Sequence, residues 1–359
     1  MSKKNIAVLF GGDSSEHEVS RQSAANIISN IPKDKYNVFM IGITKQGKWL
    51  FYQGQISNIN DGSWENCSEN KLVFAIPDPN FGGVLIASER GHEVIKIDAV
   101  IPVLHGKNGE DGTIQGLFTL SKIPFVGCDV LSSAMCMDKV VSNVMFEYAG
   151  FEQAKFAWFY SYEYLENKEY YCNLIENKIK EYPIFIKPAN AGSSVGISKV
   201  YKRSDITDAV IKASHEDKKI LVEQEIKGQE LECAVMGNEK PIASIIGGIE
   251  ACNDFYDYDA KYISNASKLI VPANISNEIS EKIREIAIKA YRTMGCKGLS
   301  RIDFFLEKST NRILINEINT FPGFTDISMY PTLMGKSGYD LPNLIDNLIS
   351  LAIDNSKNF

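Results

Sequence analysis

The stretch GLSRIDFFLEKSTNRILINEIN, residues 298–319, decides how the chain is read. It divides into two strand-like runs, 299–305 and 312–319, joined by Lys308-Ser-Thr-Asn311, which has turn chemistry. Side chains two apart on a strand share a face. Arg301 and Asp303 therefore point the same way from the first run, and Glu317 and Asn319 from the second. If the runs pair as a hairpin, the four converge. Ile302, Phe304, Ile313 and Ile315 show that the hairpin also packs into a core. Carboxylate and amide oxygens suit a hard cation such as Mg²⁺, which binds one or two carboxylates together with substrate phosphates. Arg301 would face those phosphates. The plainer alternative is a solvated hairpin face with salt bridges.

Upstream, Lys187 closes an apolar strand, Tyr182-Pro-Ile-Phe-Ile-Lys-Pro188. A lysine there needs an anion, because an unpaired buried ammonium is costly. The following loop, Gly192-Ser-Ser-Val-Gly196, is suited to folding over phosphates and donating backbone N–H groups. Glu223 and Glu230 flank Lys227-Gly228 and are candidates for adenine and ribose. Read singly, Glu223, Glu230 and Lys139 are also ordinary surface residues. The P-loop pattern is missing, since Tyr330 stands where Gly335-Lys-Ser337 would need its first glycine. No dinucleotide glycine fingerprint follows the first strand either.

The first third alternates strands (4–10, 36–44, 94–103, 124–127) with helices, which predicts a parallel sheet. Two loops, Gly11-Gly-Asp-Ser-Ser15 and His105-Gly-Lys-Asn-Gly-Glu-Asp-Gly112, fall at carboxyl ends of its strands, where such sheets bind ligands. Ser14 or Ser15 could cap a helix from Glu16 to about Asn30, and 132–148 reads as one helix. Further helices are expected over 204–215, 277–294 and 341–353.

The chain has 359 residues, too many for one core and enough for two or three domains. We place the boundaries near 125 and 220: 1–125 as an α/β substrate domain, 126–220 as a central domain, and 221–359 as a catalytic domain with the metal residues and a lid loop. A net charge of −7 argues against nucleic acid as a partner. The apolar run 6–10 is too short for a signal peptide, and no stretch approaches the roughly 18 residues of a membrane span. The seven cysteines are scattered and odd in number, and the four histidines are scattered too, which suits reduced thiols and disfavours zinc. A cytoplasmic protein is expected.

Taken together these motifs resemble the D-alanine–D-alanine ligase family, over nearly the whole chain. The resemblance rests on Gly11-Gly-Asp-Ser-Ser-Glu-His-Glu-Val-Ser20, Leu104-His-Gly-Lys-Asn-Gly-Glu-Asp-Gly-Thr-Ile-Gln-Gly116, Met137-Asp-Lys139 and Phe185-Ile-Lys-Pro188. It continues through Gly192-Ser-Ser-Val-Gly196, Tyr256-Asp-Tyr-Asp-Ala-Lys-Tyr262, Gly295-Cys-Lys-Gly298, Arg301-Ile-Asp303 and Asn316-Glu-Ile-Asn-Thr-Phe-Pro-Gly323. It implies an N-terminal parallel-sheet α/β domain followed by an ATP-grasp pair of α+β domains. It also implies ATP as cosubstrate, two Mg²⁺ ions (Mn²⁺ as a substitute), a homodimer, and an acyl-phosphate intermediate on the way to a D-alanyl-D-alanine dipeptide for peptidoglycan.

By the same resemblance Glu16 holds the first D-alanine's ammonium, with Ser193 and Tyr262 linked to it, and His105 lies near that substrate's carboxylate. Lys139 and Lys187 take the α- and β-phosphates. Glu223, Ile226, Glu230 and Phe255 surround adenine and ribose. Lys261 and Arg301 sit on the transferring phosphoryl group. Asp303, Glu317 and Asn319 bind the metal. Arg301 and the Gly323 amide face the oxyanion, Ser328 takes the second carboxylate, and Met329 lines that subsite. Gln224, Ala191 and Asp326-Ile-Ser328 depart from the family pattern. Tyr262 speaks against D-lactate, and Tyr256 with Met329 favours D-alanine over D-serine as second substrate. The alternatives are a D-alanine–D-serine ligase of the vancomycin-resistance type, another ATP-grasp carboxylate–amine ligase, and an ATP-binding regulator without turnover.

Overall fold

The computed structural model describes residues 2–88, 91–192, 195–250 and 268–355. The first sheet is built around β1 (Lys4–Gly11), whose run Ile6–Gly11 is buried throughout. Burial on both faces is what a central parallel strand requires. β1 lies between β2 (Tyr36–Ile43) and β7 (Ala99–Pro102), parallel to both. The helix α1 (His17–Asn30) follows β1 and packs on it with Ala24, Ile27 and Ile28. The remaining strands, β3 (Trp49–Tyr52), β4 (Lys71–Ala75), β5 (Gly83–Ser88) and β6 (Gly91–Lys96), form an antiparallel meander. The short helix α2 (Ile56–Asp61) interrupts it.

The sheet is thus mixed where the sequence pattern predicted a parallel one. The reason is a tight turn after β2, where Gly47 at φ 78° lets Thr44 N–H reach the Lys48 carbonyl. A hairpin needs no crossover helix. The single strand expected over 94–103 is two, β6 and β7, split at Ile97 and Asp98. These strands stand at opposite ends of the strand order β6-β5-β4-β3-β2-β1-β7. Two residues span that gap only because the sheet curls back on itself. Residues 124–127 contribute one bridge, Phe125 to Val100, rather than a strand.

After α3 (Thr113–Ser121), the helix expected over 132–148 is two, α4 (Val130–Met137) and α5 (Lys139–Tyr148). Asp138 divides them. Its carboxylate accepts the N–H groups of Val140 and Val141 at 3.0 and 3.1 Å and so begins a new helix. The central sheet, β10-β9-β11-β8, comprises β8 (Phe156–Tyr160), β9 (Ile184–Pro188), β10 (Ser198–Val200) and β11 (Lys219–Gln224). Helices α6 (Ser161–Glu166), α7 (Lys168–Ile179) and α8 (Ile206–Ser214) cover one face through Tyr164, Ile175 and Val210. Residue 220, where we expected a boundary, falls inside β11.

The third sheet runs β14-β13-β12-β15-β16: β12 (Gly228–Met236), β13 (Ile242–Glu250), β14 (Lys268–Ile270), β15 (Leu299–Glu307) and β16 (Ile313–Asn319). Alternation splits its faces. Leu231, Cys233, Val235, Ile302 and Phe304 pack under α9 (Asn277–Thr293). Ala234, Met236 and Leu299 face the other way, towards α10 (Met329–Lys336), α11 (Leu341–Asn355) and the first sheet's core. α11 returns to the first sheet, where Asp346 accepts from Lys35 and Tyr36.

Asp138 also pairs with Lys219 on β11. Asp138→Ala removes two cap hydrogen bonds and strands that ammonium. The variant should lose about 1–2 kcal/mol of stability, seen as a lower unfolding midpoint in denaturant. An unchanged midpoint would show that the break between α4 and α5 does not need the cap.

Candidate active site

The hairpin of residues 298–319 forms as β15 and β16, in antiparallel register with Asp303 opposite Glu317 and Arg301 opposite Asn319. Strict alternation would put Ile313 and Ile315 on the same face as Glu317. A register shift between Asp303 and Phe304 leaves Asn316 as an extra residue, so Ile315 joins Phe304 in the core while Glu317 stays beside Asp303. The Arg301 guanidinium grips Asp303 with both prongs, Nε to Oδ1 at 2.7 Å and Nη2 to Oδ2 at 2.8 Å. Asn319 donates to Asp303 Oδ2 at 3.0 Å.

The central sheet faces this hairpin across a cleft lined by Lys139, Ser142, Asn143, Lys187, Glu223, Asn316 and Glu317. Lys139, first residue of α5, reaches the Ala191 carbonyl at 3.0 Å and Glu317 at 3.5 Å. On β9, Lys187 pairs with Glu223 of β11 at 2.6 Å, and Asn143 donates to the other Glu223 oxygen at 2.8 Å. Burial pulls the Lys187 ammonium down, but Glu223, backed by Glu317 and Glu230, outweighs it and holds the group above the usual lysine range. Two ammonium groups set among buried carboxylates are a ready receptor for phosphates.

On the other flank, Glu16 lies at the start of α1 and is 8% exposed. Its Oε2 is so close to Gly106 and Gly192 that a Cβ on either would stand 2.6 Å away. His105 Nδ1 faces the Phe321 carbonyl oxygen at 3.1 Å, which only an N–H can satisfy, so that nitrogen carries the proton. Nε2 then accepts from the Ser23 hydroxyl at 3.3 Å. Burial holds His105 below the usual histidine range against the opposing pull of Glu16, consistent with the neutral ring. Ser23 in turn accepts from Phe324 N–H at 3.0 Å, and Asn26 donates to the Phe324 carbonyl at 2.8 Å. Residues 321–324, which follow directly on the hairpin, are thereby tied to α1.

Gly323 leaves room for Ser328, whose Oγ would lie 2.9 Å from a Cβ there. That oxygen accepts from Thr325 N–H at 2.9 Å. Met329, expected to line the second subsite, is 5% exposed and packs into the core against the bare backbone of Gly247. Ile226 is half-buried between β11 and β12, and Glu230 lies on β12 opposite Phe305. Ser193 and the whole of the expected lid, 254–267, with Phe255, Tyr256, Lys261 and Tyr262, fall outside the described residues.

Three residues of this region escaped the sequence reading. Asn143 had no signal. Glu232, 6% exposed and 3.1 Å from Arg301 Nε, could have been found from its same-face spacing with Glu230. Glu110 lay within a quoted motif but had no role assigned. Its carboxylate accepts Gly106 N–H at 2.8 Å and Phe321 N–H at 3.2 Å, bridging the two loops. Loss of solvent, then the Glu16 charge, outweigh those two donors and push it up to about 8.

The fold and the cleft between two facing sheets define a nucleotide-dependent ligase of the ATP-grasp type. The comparisons with known proteins agree. The family model described as D-ala D-ala ligase N-terminus matches residues 5–128, and that described as D-ala D-ala ligase C-terminus matches 145–350. The chain is 49% identical to a D-alanine–D-alanine ligase of Acetivibrio thermocellus, over 99% of both chains. It is similarly 49% identical to one of Ruminiclostridium cellulolyticum, over 99% of this chain and 96% of that one. Among solved structures, the VanG D-Ala:D-Ser ligase of Enterococcus faecalis has a TM-score of 0.89 at 41% identity, covering 98% of this chain and 100% of that one. The D-alanine-D-alanine ligase of Coxiella burnetii has a TM-score of 0.85 at 32% identity, covering 99% and 97%. The chain belongs to the D-alanine–D-alanine ligase family.

A carboxyl raised on folding keeps its proton in the folded state, while the unfolded chain releases it near its ordinary value. Between about 4.5 and 8 the folded state therefore binds more protons, and Glu110 costs increasing stability as pH rises through that window. Glu110→Gln should remove this contribution, so its unfolding temperature should fall less than wild type's between about pH 5 and pH 8. Parallel declines would show that Glu110 is ionised throughout.

Proposed function

We propose that this chain is an ATP-dependent D-alanine–D-alanine ligase that forms D-alanyl-D-alanine for peptidoglycan through an acyl phosphate. The observation that carries the reading is the meeting of three parts at one cleft. Lys139 and Lys187 stand on one wall, Asp303 and Glu317 on the other, and the Glu16–His105 loop is tied to the residue-321 end of the hairpin. Phosphate, metal and amino-acid chemistry would then lie side by side.

The donor set fits magnesium. Among the described residues no trio of His, Cys, Asp or Glu converges as a cage, and two carboxylates with one amide leave positions for phosphate oxygens. Asp303, Glu317 and Asn319 would hold two Mg²⁺, or Mn²⁺ in substitution. Bound there, the ions would neutralise charge on the transferring phosphoryl group.

The chain's own residues supply the rest. Lys139 and Lys187 exchange their carboxylate partners for the α- and β-phosphates, while Glu223, Ile226 and Glu230 border adenine and ribose. Glu16 takes the first D-alanine's ammonium by a charge-assisted hydrogen bond. The carboxylate of that D-alanine attacks the γ-phosphoryl group, and ADP leaves. The second D-alanine's amine then attacks the acyl carbon. Arg301 and the Gly323 N–H face the oxyanion so formed, and phosphate departs. His105 orders that loop through the Phe321 carbonyl, and Ser328 takes the second substrate's carboxylate. Positioning and charge neutralisation do most of the catalysis. The enzyme would work in the cytoplasm, where ATP is supplied, as a homodimer; six described cysteines are free thiols, consistent with that compartment.

D-alanyl-D-serine synthesis is the second reading, favoured by the structural likeness to VanG at 41% identity. D-alanine is preferred because the relatives of Acetivibrio thermocellus and Ruminiclostridium cellulolyticum, more similar at 49% identity, are D-alanine–D-alanine ligases.

The test is phosphate release from ATP and Mg²⁺ with D-alanine, D-alanine plus D-serine, D-alanine plus D-lactate, or L-alanine, with products identified by mass. Dipeptide from D-alanine alone is expected. Silence with every D-amino acid, with ATP still bound, would pass the reading to another ATP-grasp ligase. Glu317→Ala should lower turnover at least about a hundredfold by removing a metal donor; a near-normal rate would overturn the metal assignment.

A further inference from the structure

Glu232 belongs to none of the roles above, yet it sits in the same polar layer. Register places Glu232 of β12 directly opposite Asp303 of β15, and Asp303 opposite Glu317 of β16. Three carboxylates therefore form one row across adjacent strands. The next row on that face reads Ala234, Arg301, Asn319. Ala234 fills little of the space beside Arg301, so the guanidinium can lean across β12. Its Nε lies 2.7 Å from Asp303 and 3.1 Å from Glu232 Oε2. Both carboxylate residues are nearly buried, Glu232 at 6% and Asp303 at 9% exposure.

We propose that Glu232 is a positioning residue: it is the second anionic anchor that keeps Arg301 in place when Asp303 turns to a metal ion. The inference rests on the metal role given to Asp303 above. Both Asp303 oxygens are engaged by Arg301, and one also by Asn319. A divalent cation on Asp303 competes for the same lone pairs. Without another anion, the buried guanidinium would be left uncompensated and would move. Glu232 meets it from the strand on the far side of Asp303 from Glu317. Strands lie about 4.8 Å apart, which sets Glu232 roughly two strand spacings from Glu317. The three carboxylates do not converge as a cation cage. Glu232 is thus placed to hold Arg301 rather than the ion, leaving the guanidinium aimed at the phosphoryl group.

The test uses the full-length protein and three readouts. In Glu232→Gln, kcat should fall about tenfold or more while KM for ATP and D-alanine changes by less than about threefold, because Arg301 acts mainly in the transition state. In an Arg301→Lys background the same substitution should cost little further, since both changes act on one interaction. Mn²⁺ affinity in the ADP complex, followed by electron paramagnetic resonance, should stay within about threefold of wild type. A Mn²⁺ affinity reduced more than that would make Glu232 a metal ligand and overturn the proposal.

A further readout needs no turnover. With Mg²⁺ and ADP bound, hydrogen exchange at the Arg301 Nε–H, assigned by its loss in Arg301→Lys, should be about tenfold faster in Glu232→Gln than in wild type. Equal exchange would overturn the proposal, as would an unchanged kcat. Wild-type protein that makes no dipeptide would instead indict the functional reading, while the exchange measurement still decides the role of Glu232.

Discussion

The compensated row of carboxylates on the third sheet is the constraint on which the rest of the site depends. Glu232, Asp303 and Glu317 occupy one level of three neighbouring strands, and ionised groups so close and so shielded from water repel each other strongly. They persist because cations come from two directions. Arg301 rises from the same sheet, and Lys139 arrives from α5 across the cleft. The same arrangement is poised for exchange. A bound metal and a polyphosphate would bring new cations to the carboxylates and new anions to Arg301, Lys139 and Lys187. The ion pairs seen here would give way to those contacts, so most of the charge in the layer would stay compensated both with and without substrate.

A second dependence runs between the first and third sheets. Residues 321–324 follow directly on β16, but their backbone groups are held by the N-terminal part of the chain. His105 takes the Phe321 carbonyl, Glu110 the Phe321 N–H, Ser23 the Phe324 N–H and Asn26 the Phe324 carbonyl. Four side chains from α1 and one loop thus complete the hydrogen bonding of a segment that has no strand partner of its own. Buried backbone polar groups must be satisfied somewhere. Here the need is met in a way that couples α1 and the 105–112 loop to the β15–β16 hairpin. The shared core under α10 and α11 adds a continuous apolar contact to this polar seam.

The polar layer was largely legible in the sequence, because strand alternation converts spacing into a shared face. Arg301 with Asp303, and Glu317 with Asn319, converge as expected. What alternation concealed was the extra residue at Asn316. Without that bulge, Ile315 would occupy the polar face or Glu317 the core. The helix break at Asp138 was also written in the chain, as an aspartate that caps, but a continuous apolar pattern on both sides masked it. Met329 was placed in the second subsite by resemblance, and packing took its side chain into the core over Gly247.

The sequence by itself determined which groups would bear charge, which faces of β15 and β16 they would share, and that a glycine-rich loop follows Lys187. Those are local matters, set by residue type and by the two-residue period of a strand. Only the tertiary structure decided that Glu232 would stand against Arg301, that Glu110 would bridge two loops 211 residues apart, and that β6 and β7 would be brought round by a curled sheet. These depend on which strands become neighbours and on what is withdrawn from water. Both are properties of the packed chain, to which spacing along the sequence is blind.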